Sequence, residues 1–539
     1  MRGLGYVRRV PLAITGALRR FAQDPARGRV ALERAVPRLR TTDRRVIDGD
    51  GAAAAVDEAV ARDRLGDAED ALALIAREAP ERESCVLAVA GLGGHLEQVA
   101  AATPSDARGR RAVRSARRRL AVIGEPITGR PVEHPGFDWR DRGSVLHVVT
   151  NSLPVTQAGS TIRTQRVVRA QRDLGWDARV VTRPGYPVTH GDLGSSDPEL
   201  VDGVPYHRLL PLVMPSEEGM RQSYASLLDG LVDRLRPDVL HAASDHVNAA
   251  VALEVGRARG LPVAYEARTF FEDTWLARHG GEIARSTDAY RLLRQRHTEV
   301  LGAVDVVTTL GAAMREEIIA RGADPARVFI TPNAVPVDFL RPRDQANARA
   351  RLGIEDALWI GSVATINDDE GLDTVIDAVA YVRDGGVDAR VLIVGDGPAL
   401  PGLIARAARM EVPIVTPGRV PVDAVLDWYD VLDVFALPRR DTSVNRAVTA
   451  LKPLEAQARG IPVIGSDLPA VAEVLAPQGA RVPAGDPEAT ATALTAWADP
   501  DARASAGEAA RSWVATTRTW PSVMESYRAA YSFLGTPQG

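Results

Sequence analysis

Lysine is almost absent from this 539-residue chain: of its 66 basic residues only Lys452 is not an arginine. Two explanations stay open. Either composition drifted and the survivor stands anywhere, or every lysine an arginine can imitate was replaced, leaving one whose compact ammonium a planar guanidinium cannot copy. Cysteine is as scarce. Cys85 stands alone, which excludes an intrachain disulfide and a thiolate metal cluster and fits a reducing cytosol. No apolar run reaches the roughly 18 to 20 residues that cross a bilayer, and the N-terminus lacks a secretory apolar core, so a soluble, cytoplasmic protein is expected. An excess of one charge is lacking too. With a net charge of −4 no global field gathers nucleic acid.

What is present is apolar material, 45% of the residues, enough for several domains at roughly 100 to 200 residues each. Residues 1–140 are rich in Ala, Arg, Asp and Glu and repeat apolar positions at helical spacing, as over Asp57 to Glu78, which predicts a helical extension. Its first stretch, Tyr6 to Ala22, mixes Arg8, Arg9, Arg19 and Arg20 with Val10, Leu12, Ile14 and Leu18. That pattern suits peripheral contact with an anionic membrane face, or a solvated or docked basic end, and Pro11 and Gly16 interrupt it. Pro126 to Arg142 reads as a linker.

From Ser144 short β-branched runs alternate with helical patterns. The runs Val145 to Thr150, Ala178 to Thr182, Val239 to His241, Val263 to Tyr265, Val306 to Thr309 and Val328 to Ile330 predict a first Rossmann-like domain over 143–340. Trp359 to Val363, Val391 to Val394, Ile414 to Thr416, Val434 to Leu437 and Val463 to Gly465 predict a second over 341–515. The fold class is therefore α/β, two doubly wound parallel sheets behind a helical extension. Ligands of such sheets bind at the carboxyl ends of the strands, so the expected site is a cleft faced by both. Residues 516–539 carry Trp520, Tyr527, Tyr531 and Phe533 near helical spacing and predict a last helix packing back across the pair.

The densest constellation comes after the Val434 run: Pro438-Arg439-Arg440-Asp441, then Asn445 to Glu455, closing at Gly460. Pro453 suits a first helical turn and Gly460 the left-handed position after the end, so a helix is expected to begin at about Lys452. Its free amides, with Lys452 and Arg446, would seat a diphosphate, and Glu455 would accept two ribose hydroxyls. A Glu455 that only steadies the helix end beside a solvated Lys452 fits the same residues.

The run Leu451-Lys452-Pro453-Leu454-Glu455-Ala456, with Gly460-Ile461-Pro462-Val463 after it, resembles the donor-binding signature of the retaining family 4 glycosyltransferases, which have the two-domain GT-B fold. The one lysine falls inside it. The resemblance extends from Ser144 to about Phe533. It implies a donor held by Glu455 at the ribose and by Ala447, Thr449, Leu451 and Leu454 around the phosphates and sugar. It adds Gly159 and Ser160 in a flexible loop near the donor phosphates, and Gly395, Arg419 and Val420 beside the base. Glu266 and Arg268, in Tyr265-Glu266-Ala267-Arg268, look like an acceptor-side segment, although a salt-bridged loop gives the same pattern.

Several family positions differ here. Ala447 stands where a first glutamate is usual, Ser362 and Glu370 where an Arg and a Lys clamp the diphosphate, and Ala243 where a second His comes after His241. Lys452, Arg446 and His241 are the catalytic candidates, with Arg440 as further positive charge; a lone His at a strand end also serves structure alone. The resemblance implies a nucleotide-sugar donor, a glycan, lipid-linked or small-molecule acceptor, retention of configuration, and neither cofactor nor metal. A non-catalytic nucleotide-sugar-binding relative and a nucleotide-sugar epimerase remain alternatives on the same plan.

Overall fold

The computed structural model describes residues 82–535 except 135–136, 140–142, 195, 280 and 422–423. The stretches Tyr6 to Ala22 and Asp57 to Glu78 lie outside them. The chain divides into two compact units, one running to Thr308 with Arg321–Val328 and the stretch from Ala530, the other comprising Thr309–Ala320 and Phe329–Ala529.

Among the described residues the first unit begins with α1 (Arg82–Leu92), α2 (Leu96–Ala101) and α3 (Ala107–Gly124). Asp106 caps α3 by accepting from Gly109 N, as a helix with an orphan first turn requires. Then come β1 (Ser144–Val149), α4 (Gly159–Asp173), β2 (Asp177–Thr182), β3 (Glu199–Val201), β4 (Val204–Arg208), α5 (Met220–Leu235), β5 (Val239–Ala243), α6 (His246–Arg259), β6 (Val263–Ala267), α7 (Phe271–Arg278), α8 (Asp288–Ala303) and β7 (Val306–Thr309). With β8 (Val328–Ile330) they give a sheet of order β3-β4-β2-β1-β5-β6-β7-β8. Only the β3–β4 hairpin is antiparallel among the registered pairs.

The expected linker is not loose. Ile127 N donates to Glu299 Oε2 and Val132 N to Asp305 Oδ1, both at 2.8 Å. Trp139 packs edge-on against Trp176 and at a tilt against Tyr531, with ring centroids 4.8 and 4.7 Å apart. Pro and Gly end the helix, but one buried indole and paired backbone donors turn the segment between α3 and β1 into a strap. Leu96, Val99, Val113 and Ala116 of α2 and α3 share a core cluster with Ala289 of α8.

The second unit contains α9 (Ala312–Ala320), α10 (Gln345–Leu352), β9 (Leu358–Val363), α11 (Leu372–Asp384), β10 (Ala389–Val394), α12 (Leu400–Arg409), β11 (Ile414–Gly418), α13 (Val425–Val431), β12 (Val434–Leu437), α14 (Ser443–Ala447), α15 (Lys452–Ala458), β13 (Val463–Ser466), α16 (Pro469–Ala472), β14 (Ala480–Val482), α17 (Pro487–Ala496), α18 (Pro500–Thr517) and most of α19 (Trp520–Phe533). Its sheet is ordered β11-β10-β9-β12-β13-β14. Alternate residues of each strand enter different cores. Trp359, Leu392, Val394, Phe435 and Val463 join Leu454 of α15 and Tyr429 of α13, whereas Ile360, Val391, Ile393, Val434 and Ile464 join Val375 of α11 and Leu494 of α17. The period of two thus places helices on both faces, and the strands read as continuous apolar runs because neither face meets water.

Candidate functional site

The second sheet fixes where a ligand can sit. From β9 the chain moves outward to β10 and β11, then returns past β9 to lay β12 on its other side, with Val434 opposite Ile360 and Phe435 opposite Gly361. Connections from β9 and β12 therefore leave in opposite directions and open a crevice at their carboxyl ends. The segments after the two strands meet there. Gly371 (φ +67°) lies so close that a Cβ would stand 2.1 Å from Pro438 O. Arg440 N donates to Asp369 O at 3.0 Å, Arg440 Nε to Asp368 O at 2.7 Å, and Asn445 Nδ2 to Asp369 O at 2.9 Å.

After Pro438 the motif folds as its residues suggest. Thr442 caps α14 by accepting from Asn445 N, residues 448–451 run without helix, and α15 starts at Lys452 with Pro453 in its first turn and Gly460 at φ +72° beyond its end. The extended loop is anchored where Asn333 Nδ2 donates to the Thr449 carbonyl at 3.2 Å. Glu455 is buried, and its Oε2 accepts from Tyr429 Oη at 2.7 Å and from Lys452 Nζ at 2.9 Å. The sole lysine is therefore neither solvated alone nor joined to Arg446. Arg446 instead forks onto Asp441, an exposed pair whose bonds lower the Asp441 carboxyl and raise the guanidinium. Arg440 pairs with Asp373 at 2.9 Å, and Arg439 with Glu370 at 3.2 Å.

At the edge of the sheet, Gly395 N donates to Gly418 O at 2.9 Å, joining the loops after β10 and β11. A Cβ on Gly395 would stand 1.9 Å from Ala364 O. Arg419 is exposed and Val420 half-buried against the core. Of the expected donor residues, Ser362 is buried in the central β9 at 2% exposure and Leu454 in the core at 0%. Ala447, Thr449 and Leu451 stand on or beside the extended loop, Thr449 and Leu451 being buried at 5% and 9%.

In the first unit, α4 starts at Gly159, where a Cβ would meet nothing within 4 Å. Ser160 is exposed, and its carbonyl accepts from Arg268 Nη1 at 2.9 Å. Arg268 also pairs with Glu266, which takes Arg163 Nη2 at 2.6 Å on its other oxygen. Burial alone would raise the Glu266 carboxyl, but the Arg163 and Arg268 guanidiniums outweigh it and hold it well below the usual range. So the salt-bridged reading of this segment is what the fold contains, and it ties Arg268 to the start of α4. His241 is fully buried at 0%. Its Nδ1 lies 2.6 Å from Tyr531 Oη, its Nε2 3.8 Å from Glu266 Oε2, and its ring 4.7 Å from that of His147 on the next strand. Burial pushes its pKa down. His241, a catalytic candidate by its sequence, thus sits inside a polar seam of the core with its imidazole closed to solvent, and a proton transfer from it would need a path through that seam.

Two site-side residues carry no weight in the sequence reading: Tyr429, which holds Glu455, and Arg439. Tyr429 is 26 residues from its partner, beyond any local pattern. Arg439 had its place in the Pro438-Arg439-Arg440-Asp441 run, two residues beyond the end of β12.

Two family models match the chain, the glycosyl transferase 4-like domain over residues 158–334 and the glycosyl transferases group 1 over 355–499. The chain belongs to the 4-like glycosyltransferases. In this family member the first match runs from the start of α4 through β8, and the second from just before β9 through α17. It is similar to a D-inositol 3-phosphate glycosyltransferase of Segniliparus rotundus, 30% identical over 225 residues, 39% of this chain and 48% of the relative. The chain thus spans about half the length of that relative. A counterpart with the same name from Acidothermus cellulolyticus is 26% identical over 72% of this chain and 84% of its own. Among solved structures, sucrose-phosphate synthase of Thermosynechococcus elongatus shares the fold with TM-score 0.57 and 18% identity, covering 72% of this chain and 98% of that one.

Proposed function

We propose that this chain transfers a sugar from a nucleoside-diphosphate sugar to a glycan, glycolipid or small-molecule acceptor with retention of configuration. The observation that carries the reading is the placing of Arg439 and Arg440 on the loop after β12, Arg446 on α14 and Lys452 at the start of α15, all in the segment at the β9–β12 crevice, in a member of this family. Breaking the bond between the anomeric carbon and phosphate puts negative charge on the departing diphosphate, and fixed cations with loop amides over Ala447 to Leu451 stabilise that charge. Lys452 leaves Glu455 for the phosphates, which frees a carboxylate oxygen for the ribose hydroxyls. Gly395, Arg419 and Val420 border the base. In the first unit Gly159 and Ser160 border the donor phosphates, Arg268 serves the acceptor side with the buried Glu266 holding it in place, and the acceptor hydroxyl gives its proton to the departing phosphate oxygen. We assign the charge stabilisation to these side chains without a metal ion, so chelator leaves turnover unchanged.

The acceptor classes to try first are inositol phosphates and phosphatidylinositol mannosides, because relatives of this chain are named for them. No helix among the described residues is long and apolar enough to cross a membrane. Contact with a lipid-borne acceptor would be peripheral, and the seven arginines of α3, five of them exposed, suit an anionic surface.

The test is release of nucleoside diphosphate from UDP-, GDP- and ADP-sugars, alone and with these acceptors. Slow release alone and faster release with one acceptor is expected, with loss of at least about tenfold in Lys452→Ala and Glu455→Gln. A chain that binds none of these donors and releases no diphosphate from any of them overturns the reading; acceptor-free epimerisation replaces it.

A further inference from the structure

Four cations stand around the β9–β12 crevice, and each already has a carboxylate: Arg439 has Glu370, Arg440 has Asp373, Arg446 has Asp441 and Lys452 has Glu455. They differ in how far water screens them. The side chains of Arg440 and Arg446 are 48% and 55% exposed, whereas those of Arg439 and Glu370 are 13% and 15% exposed. A charge in the drier setting acts on an anion with less screening.

Arg439 is also the cation built into the crevice from several sides. Glu370 lies in the turn after β9, one residue before Gly371, the close-approach glycine beneath Pro438. The guanidinium forks onto that carboxylate, Nη2 at 3.2 Å and Nε at 3.4 Å, while Nη1 donates at 3.1 Å to Val448 O of the extended loop before α15. Ser466 Oγ, at the end of β13, donates to the Arg439 carbonyl at 2.7 Å and fixes the backbone. Three of the five guanidinium N–H groups are so engaged, which leaves one on each terminal nitrogen, the number that two oxygens of one phosphate accept.

We propose that Arg439 grips the diphosphate of the donor, and that Glu370 is a resident carboxylate that keeps its guanidinium in place while competing with the phosphate for it. The assignment rests on the donor reading above and adds to it a binding residue and a competitor for that residue. Removing Arg439 deletes the grip. Removing only the charge of Glu370 leaves the grip and deletes its competitor, so the two substitutions act in opposite directions on phosphate and alike on nothing else.

Calorimetry of UDP, GDP and ADP against their nucleosides, on the full chain, separates the diphosphate contribution as the ratio of the two affinities. For the diphosphate that the wild type binds, Arg439→Ala is expected to lower this ratio about tenfold or more, and Glu370→Gln to raise it about threefold or more, with nucleoside affinity unchanged in both. If the pair only struts the two loops together, both variants lower the ratio along with the melting temperature, and the proposal fails. Should Arg439→Ala not fold, Glu370→Gln decides: an unchanged or lower ratio overturns the assignment. A wild-type chain that binds no nucleoside diphosphate sinks the donor reading itself, and this assignment with it; normal wild-type binding that Arg439→Ala leaves intact sinks only the assignment.

Discussion

Two glycines that look equivalent in the sequence are held for different reasons. At Gly371 the backbone is left-handed and a side chain would run into Pro438 O, so Gly371→Ala both strains φ and pushes the segments after β9 and β12 apart. A loss of about 2 kcal/mol or more in unfolding free energy is expected, with weaker nucleotide binding. Gly159 faces open space, so nothing in the fold demands it. If its bareness serves a phosphate that approaches the start of α4, Gly159→Ala keeps stability within about 0.5 kcal/mol while diphosphate release falls. Denaturant melts of the two variants, read beside their release rates, check both; a Gly159→Ala that turns over like wild type removes that residue from the donor loop.

Among elements, those carrying their own signal were the legible ones. Buried parallel strands need apolar residues on both faces, so the runs starting at Val306, Val328 and Val434 match β7, β8 and β12 end to end. The β3–β4 hairpin escaped because Pro205 sits inside β4 and each strand is short, and β14 because Ala480-Arg481-Val482 has an exposed arginine at its centre and so no apolar run. Side-chain partnership was less legible than the strands. That Glu455 would meet Tyr429, or Arg439 meet Glu370 from 69 residues away, depends on which strands become neighbours, and no local spacing encodes that. Helix α3 makes its own prediction. Its Val113 and Ala116 are buried, while Arg110, Arg111, Arg114, Arg117 and Arg118 face outward with no acidic residue in the helix. Each arginine at an anionic bilayer surface is worth about 1 kcal/mol. Wild-type protein should co-sediment with phosphatidylglycerol vesicles and not with phosphatidylcholine, and reversing Arg111, Arg114 and Arg118 to Glu should abolish it; equal binding to both lipids, or no effect of reversal, ends the membrane proposal.

On the scale of the whole molecule, acid separates the two units. All nine histidines fall between His95 and His297, within the stretch of chain assigned to the first unit, and none lies in Thr309–Ala320 or Phe329–Ala529. Two sit side by side in the core. Burial, helped by the neighbouring His241, lowers His147 from 6.5 to about 3, and burial lowers His241 as well. Such a group is neutral in the folded chain and takes up a proton on unfolding, so its contribution is complete above the unfolded value of 6.5 and is lost as pH falls towards 3. Each histidine of this kind steepens the loss by up to about 1.4 kcal/mol per pH unit. The second unit has no histidine to titrate between pH 7 and 5 in this way. Scanning calorimetry from pH 7 to 5 should therefore show one transition moving to lower temperature while the other stays. His147→Gln, which removes the titrating ring next to Gln171, should flatten the pH dependence of the moving transition and leave the second one where it was. Two transitions that shift in parallel would mean that the acid sensitivity does not reside in the buried histidine seam.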